Sequence, residues 1–424
     1  MRIAFFVGDF PILSKTFIIN QITGLISRGH DVDIYGYQPN EISKMHLDVE
    51  KYQILARTHY VPTIPKNYFW RFLKGIILIF ANFYKAPIVL LRSLNFLKYG
   101  RQAASLNLLY GTIPLLKSQP YDIIHCQFGM YGNAGMIFRE IGAIKGKLIT
   151  SFRGYDISLY IKQYGEHLYD KLFSKGDFFI ANCSFFRQRA IALGCDEQKI
   201  LVHGSGIDCE RFRYKVRHLD PHSIIRITTT GRLIEKKGIE YGIRAVAKLA
   251  LPYPNIEYHI VGDGHLKEEL QQLIQELNIS DKVKLLGSKN QQEIIEILDN
   301  SHIFIAPCVT GFDGNQDAPV NTLKEAMAMG LPVISTLHGG IPELVEDGIS
   351  GFLVPERDVD ALTQKLSYLI EHPEWEKMGR AGRAYVEAHY EINKLNDELV
   401  EIYQQIALEF AVEPTPNNKF YEFC

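Results

Sequence analysis

The chain has 424 residues, 46% of them apolar, and a formal charge of −2, a length that exceeds one hydrophobic core and suits two domains. The balanced charge excludes a nucleic-acid partner for the molecule as a whole, and no apolar run reaches the roughly 18–20 residues of a bilayer-spanning helix. Six cysteines, at 126, 183, 195, 209, 308 and 424, form no C-x-x-C pair and no zinc spacing, which points to a reduced, cytosolic chain without a structural metal.

In chain order, Ile3–Gly8 reads as a strand rather than a signal peptide, Thr16–Arg28 as a helix and Val32–Gly36 as a strand. From Lys51 to Lys117 there is no Asp or Glu, while ten Lys and Arg occur among Tyr68, Phe69, Trp70, Phe72, Phe80, Phe83 and Tyr84, with Pro87 as a breaker. A basic, aromatic, broken helix is what a binder of anionic membrane surfaces uses. Core helices with basic outer faces give the same pattern. The expectation is a peripheral contact through residues 66–101, on the cytoplasmic face of a membrane.

Short apolar strands follow at Asp122–His125, Leu148–Phe152, Phe178–Ala181 and Lys199–Val202, separated by helices near 130–143, 162–174 and 184–193. The polar stretch His203–Ser223, with Gly204, Gly206 and Pro221, marks a joint. Beyond it the scheme repeats. Strands are expected at Ile225–Thr230, Glu257–Val261, Val283–Leu286, Ile303–Ala306, Pro332–Ser335 and Gly351–Val354. Helices fall near 238–250, 265–277, 291–299, 321–329, 341–346 and 359–371, then at 373–390 and 394–410. Strands separated by helices imply an α/β chain of parallel sheets. The expected domains are 1–205 for the acceptor and 206–393 for the donor, each Rossmann-like, facing an interdomain cleft. A terminal helix at 394–411 is expected to pack back toward the first domain, and 412–424 reads as a tail.

The densest chemistry lies between Gly231 and Gly351, where each small motif sits at a strand-to-helix turn. Gly231-Arg232 closes a strand and Lys237-Gly238 opens a helix, so both cations stand where a phosphate is approached by bare amides. Arg232 forks onto two oxygens and Lys237 supplies a point charge; together they stabilise a leaving diphosphate. Gly262 shapes a loop near the base. Glu325, just inside a helix, suits a ribose 2′/3′ hydroxyl pair, and Asp317 suits hydroxyls of the transferred sugar. Pro319 leads into the free amides of Val320, Asn321 and Thr322, placed for the distal phosphate. The set describes a nucleotide-sugar pocket.

Here the chain resembles the retaining family-4 glycosyltransferases of the GT-B fold, in their exopolysaccharide and colanic-acid branch. The phrases "DAPVNTLKEAMAMGLPVISTLHGGIPELVEDGISGFLVPERD", "FPILSKTFIINQ", "DIIHCQFG", "SFRGYD" and "VHGSGID" carry the likeness. The resemblance implies hexosyl transfer from a UDP- or GDP-sugar with retention, the diphosphate helping to deprotonate a saccharide or lipid-linked acceptor. The family's Arg and Lys fall on Arg232 and Lys237, its second glutamate on Glu325 and its first on Asp317, one methylene shorter. His125 matches a family histidine and is a catalytic candidate. A second histidine is common two residues on, where this chain has Gln127, which hydrogen-bonds sugars but shuttles no proton.

On the acceptor side Ser14 and Thr16 offer hydroxyls around Lys15, where the family normally has an acid. Arg153 and Asp156 follow another strand and can orient acceptor hydroxyls. Asp31-Val32-Asp33 has the D-x-D form of metal-dependent transferases but no second acidic cluster beside it. Gly262-Asp263-Gly264 is too short for a dinucleotide fingerprint. Neither a metal nor a cofactor is therefore expected; the nucleotide-sugar is a substrate. A glycosidase pair from Asp317 and Glu325 has no use for the adjoining cations. A degenerate scaffold copy, suggested by Asp317 and Gln127, and a nucleotide-sugar epimerase remain the alternatives.

Overall fold

The computed structural model describes residues 1–12, 15–38, 47–218, 223–372 and 375–408. Its strands, in chain order, are β1 (Arg2–Asp9), β2 (Asp31–Tyr37), β3 (Thr58–Tyr60), β4 (Ile123–Gln127), β5 (Lys147–Phe152), β6 (Phe178–Ala181) and β7 (Ile200–Val202), then β8 (Ile225–Thr230), β9 (Ile256–Val261), β10 (Val283–Gly287), β11 (Ile303–Ala306), β12 (Val333–Thr336) and β13 (Phe352–Val354). They form two sheets, of order β3-β2-β1-β4-β5-β6-β7 and β10-β9-β8-β11-β12-β13. Pairing is parallel between β1 and its neighbours β2 and β4, and throughout the second sheet. Both are doubly wound, Rossmann-like sheets, as the alternation of strands and helices requires. In each, the strand order reverses once, beside β1 and beside β8, and a doubly wound sheet opens its ligand crevice at that reversal.

Compact packing divides the chain into two units. One comprises Met1–Thr150, Ser174–Phe179 and the chain from Asn396; the other comprises Ser151–Phe173 and Ile180–Leu395. In the first, Ile3, Ala4, Phe5, Ile123 and Ile124 are wholly buried, because a parallel strand is covered on both faces. The last helix, Ile392–Leu408, sets Asp397 2.6 Å from the Arg28 Nε.

In the second unit, alternate residues of the strands feed two cores. Ile227, Tyr258, Ile303, Ile305 and Ile334 pack with Ile243, Leu270 and Leu366 on one face. Phe304, Ala306 and Val333 pack with Leu323, Ala326 and Met327 on the other. That second core pins the helix Asn321–Ala328 through its buried face and leaves Glu325 half-buried.

Several elements differ from the sequence reading. The helix expected at 162–174 is interrupted at Gly165, giving Leu159–Tyr164, a 3-10 turn at Glu166–Tyr169 and a second short helix, Asp170–Lys175. The segment 341–346 forms only the 3-10 turn Ile341–Glu343. The edge strand β3 was not foreseen, because three residues are too short to show alternation.

Candidate active site

The loops that leave β8, β9 and β11 meet backbone to backbone. Gly262 has φ +140, and a Cβ there would stand 1.8 Å from the Gly231 carbonyl oxygen. Only glycine fits, and the contact fixes the turn from which Arg232 emerges. The 3-10 turn Glu235–Lys237 then presents two consecutive lysines.

Those lysines converge on one carboxylate. Lys236 Nζ lies 2.8 Å from Asp317 Oδ1 and Lys237 Nζ 2.8 Å from Oδ2. Lys236 also donates to Asn315 Oδ1 at 3.1 Å and to the Gln316 carbonyl at 3.4 Å, tying down the loop that carries the acid. Burial alone would raise the Asp317 pKa, but the two ammonium groups outweigh it and hold the carboxyl far below its ordinary range. Burial likewise opposes the Lys237 charge, and Asp317 more than restores it, so this lysine sits above its ordinary value. Cys308 lies alongside, its thiol pushed up to about 12, first by burial.

The main chain of Asp317 is held as firmly as its side chain. Its N–H donates to His338 Nε2 at 2.9 Å, and its carbonyl accepts from Gly340 N at 3.2 Å. A Cβ on Gly339, whose φ is +51, would meet that carbonyl oxygen at 2.1 Å. Because His338 accepts on Nε2, its proton is on Nδ1, which donates to Glu356 Oε1 at 2.6 Å. Glu356 in turn accepts from the Thr310 amide at 2.7 Å and the Thr310 hydroxyl at 3.0 Å. Burial disfavours the Glu356 charge, but these donors prevail and lower its pKa.

Glu325 is in the opposite condition. Among the described residues its carboxylate has no hydrogen-bond or ion-pair partner, and burial pushes its pKa up to about 7, partly countered by Lys324. The helix that bears it starts at Asn321 behind Val320, a residue with no side-chain acceptor, so its first amides are uncapped. Arg232 is exposed and has no side-chain hydrogen bond among the described residues. Its charge opposes that of Lys237. The second unit thus offers an unneutralised guanidinium, a lysine pair, an uncapped helix start and a carboxylate without donors.

Lys237 is paired with Asp317, and Arg232 lies within electrostatic reach of Lys237; Pro319, Val320, Asn321, Thr322 and Glu325 follow Asp317 directly in the chain. Lys236 and the His338–Glu356–Thr310 chain were missed. The Lys-Lys pair was visible in the sequence; the histidine chain left no local signal, since its members are far apart.

Arg153 Nη1 donates to Ser205 Oγ at 3.2 Å, while Asp156 is wholly buried and accepts from the backbone N–H groups of Arg153 and Gly154 at 3.0 and 3.1 Å. Asp156 therefore closes its own turn. Gln316 N donates to Ser158 Oγ at 3.4 Å, so this turn abuts the loop of Asp317 within the same unit.

In the first unit, His125 does not follow a strand end. β4 runs on to Gln127, and both side chains are wholly buried. His125 Nδ1 is hydrogen-bonded to the Tyr403 hydroxyl. Gln127 Nε2 lies 3.4 Å from His125 Nε2 and donates to Gln21 Oε1 at 3.0 Å. Thr16 is half-buried at the start of helix Thr16–Ser27, and Lys15 Nζ donates to the Asp9 carbonyl at 2.9 Å. Ser14 lies outside the described residues.

Residues 14–211 match the family model described as Glycosyltransferase Family 4, and residues 211–385 the model described as Glycosyl transferases group 1. A Salmonella typhimurium protein named as a colanic acid biosynthesis glycosyltransferase is 33% identical over 96% of this chain and 100% of its own length. The amylovoran biosynthesis glycosyltransferase of Erwinia amylovora is 34% identical over the same shares. Among solved structures, an Anabaena protein crystallised with UDP-glucose superposes with a TM-score of 0.68 at 18% identity, covering 96% of this chain and 100% of that one. Matched along nearly its whole length, the chain belongs to the family-4 glycosyltransferases of the GT-B fold, in the branch that holds the colanic-acid and amylovoran enzymes.

Proposed function

We propose that this glycosyltransferase moves a hexosyl group from a UDP- or GDP-hexose to a saccharide, lipid-linked in its natural setting, with retention at the anomeric carbon, during exopolysaccharide assembly. The observation that carries the reading is the Lys236–Asp317–Lys237 cluster followed, eight residues after Asp317, by a carboxylate without donors. Relatives named for colanic acid and amylovoran biosynthesis support the exopolysaccharide setting, and neighbours crystallised with UDP and UDP-glucose support the donor class.

In this reading Arg232, Lys237 and the amides at Asn321 and Thr322 take the diphosphate and stabilise the charge that builds as it leaves. Glu325 accepts the ribose hydroxyls and gains the donors it lacks. Each Asp317 oxygen holds one lysine and has a lone pair left for a sugar hydroxyl. With the phosphates neutralised by side chains and amides, the chemistry calls for no metal. A diphosphate oxygen takes the acceptor proton on the face from which it departs.

Turnover of a panel of UDP- and GDP-hexoses with a lipid-linked saccharide, with the product anomer assigned by NMR, tests this. An α-donor should give an α-product. A β-product would refute retention, and free sugar with or without acceptor would refute transfer.

A further inference from the structure

The transferase reading leaves one surface unused. Of the 25 large apolar side chains exposed among the described residues, 13 fall between Tyr68 and Leu97. The helix Tyr68–Asn82 buries only Gly75 and Asn82. Phe69, Trp70, Phe72, Ile77 and Phe80 stand in solvent, Phe80 with 79% of its surface free. Tyr84 follows at 77%, then Ile88 and Leu91 on the helix Pro87–Ser93, and Leu97 at 87% on the helix Phe96–Ala104. A monomer rarely leaves so many large apolar side chains of one short segment in water.

This surface is built rather than frayed. Gly75 seats the first helix against Leu106 and Leu109. Tyr110 donates its hydroxyl to the Arg71 carbonyl at 2.8 Å, Arg71 Nε donates to the Pro65 carbonyl at 2.8 Å, and Lys74 donates to the Thr63 carbonyl at 2.7 Å. Its charge has one sign. Lys66, Arg71, Lys74, Lys85, Arg92, Lys98 and Arg101 are interspersed with the rings along the chain, and no acid occurs from 51 to 117. Among the described residues only Lys98 of these seven has a carboxylate partner, Glu140 at 2.6 Å. Arg71 lies 4.8 Å from the centre of the Tyr68 ring, an aromatic–cation pairing suited to a headgroup layer.

We infer that residues 68–101 form a docking face for an anionic lipid bilayer, with Trp70, Phe80, Tyr84 and Leu97 entering the acyl boundary and the interspersed cations meeting lipid phosphates. The face lies on the membrane and does not cross it. The 15-residue helix spans roughly 22 Å, short of the ~30 Å hydrocarbon layer, and no helix among the described residues is long and apolar enough to span. Charge selects this occupant over a second copy of the face, which would bring cations against cations. The inference goes beyond the transfer reaction and is scored without donor or turnover, so either reading can fail alone.

The full chain is tested with vesicles of phosphatidylcholine, pure or with 30% phosphatidylglycerol (~30%, chosen to give a surface potential of the kind that attracts basic segments). Trp70 is 58% exposed and Trp375 is wholly buried, so the blue shift and bromolipid quenching of fluorescence report Trp70. Anionic vesicles should bind and shift it; pure phosphatidylcholine should bind far more weakly. Neutralising Lys66, Lys85, Arg92 and Arg101 to Gln should weaken binding by about two to three orders of magnitude at low salt, following the usual gain per basic residue at an anionic surface. Phe80→Ser with Tyr84→Ser and Leu97→Ser should abolish the shift, and an unchanged far-UV spectrum shows that both variants fold. Equal binding to both vesicle types, or binding without a Trp70 response, overturns the proposal. So does a concentration-dependent dimer that this triple variant abolishes, in a chain that ignores vesicles.

Discussion

Glu325→Gln should stabilise the unliganded protein while weakening its hold on the donor. The carboxylate has no partner among the described residues, and its pKa rises from 4.5 to about 7 because burial penalises the charge. Below pH 4.5 the group is neutral in folded and unfolded chains alike and costs nothing. Between 4.5 and 7 the unfolded chain releases the proton first, so the penalty grows with pH, and above 7 it is fully present. A displacement of that size is worth about 3 kcal/mol. That figure already contains the opposing field of Lys324, and because Glu325 is only half-buried, solvent screening reduces it further. The net expectation at pH 8 is about 1–2 kcal/mol, or roughly 2–8 °C in Tm for a domain of this size. The gain should vanish near pH 4.5. Donor affinity should fall about 10- to 100-fold, the worth of hydrogen bonds to a charged group. Thermal unfolding at pH 5 and pH 8, with calorimetry of the preferred UDP- or GDP-hexose, measures both. Calorimetry in buffers of different ionisation enthalpy should also show proton release on donor binding near pH 6–7 in the parent and none in the variant. A variant less stable at pH 8, or one that binds donor as the parent does, would refute the reasoning.

Asp317→Ala should cost about 3–5 kcal/mol, because it leaves two adjacent, largely buried ammonium groups without their counterion. Added nucleoside diphosphate should restore part of the lost Tm, and a loss under ~1 kcal/mol without such rescue would count against the cluster. Lys237→Met and Lys236→Met should separate. The first should weaken donor binding about 10- to 100-fold with little change in Tm, because Asp317 keeps Lys236. The second should chiefly lower Tm, since Lys236 also bonds Asn315 and the Gln316 carbonyl; denaturant melts and calorimetry on both would expose a reversal. His338→Ala should cost about 1–3 kcal/mol in chemical unfolding, leaving the Asp317 N–H without its acceptor and Glu356 without one of its donors.

Much of the fold was legible because its strands are short apolar runs between helix-length segments, the pattern of a parallel α/β sheet. Ile225–Thr230 and Ile303–Ala306 came out at the expected residues. What escaped were features set by long-range packing. β3 exists only because Thr58, His59 and Tyr60 pair with β2. The burial of His125 depends on Tyr403, a residue 278 positions away. Within the site, Gly231, Arg232 and Lys237 were readable from a strand-to-helix turn, whereas His338 and Glu356 act on Asp317 across tertiary distances that no window of sequence contains.

The two acids of the site, eight residues apart, are driven to opposite electrostatic limits, and the contrast is informative. Asp317 is over-satisfied: two ammonium groups hold it ionised, and a chain of hydrogen bonds from its N–H through the His338 and Glu356 side chains to Thr310 holds it in place. Glu325 is under-satisfied and titrates near neutrality. A fold selected for stability alone would supply Glu325 with a donor or replace it, and a half-buried carboxylate with no partner among the described residues points to a partner from outside the chain. The same logic gives Asp317 its place in the proposed reaction. It serves as a resident anion for the lysine pair and keeps the two cations preorganised. When a diphosphate enters, Lys237 can turn part of its charge toward the phosphate while Lys236, anchored also to Asn315 and Gln316, keeps Asp317 ionised. The cations need no reorganisation to meet the leaving group, which is the condition under which electrostatic stabilisation is most effective.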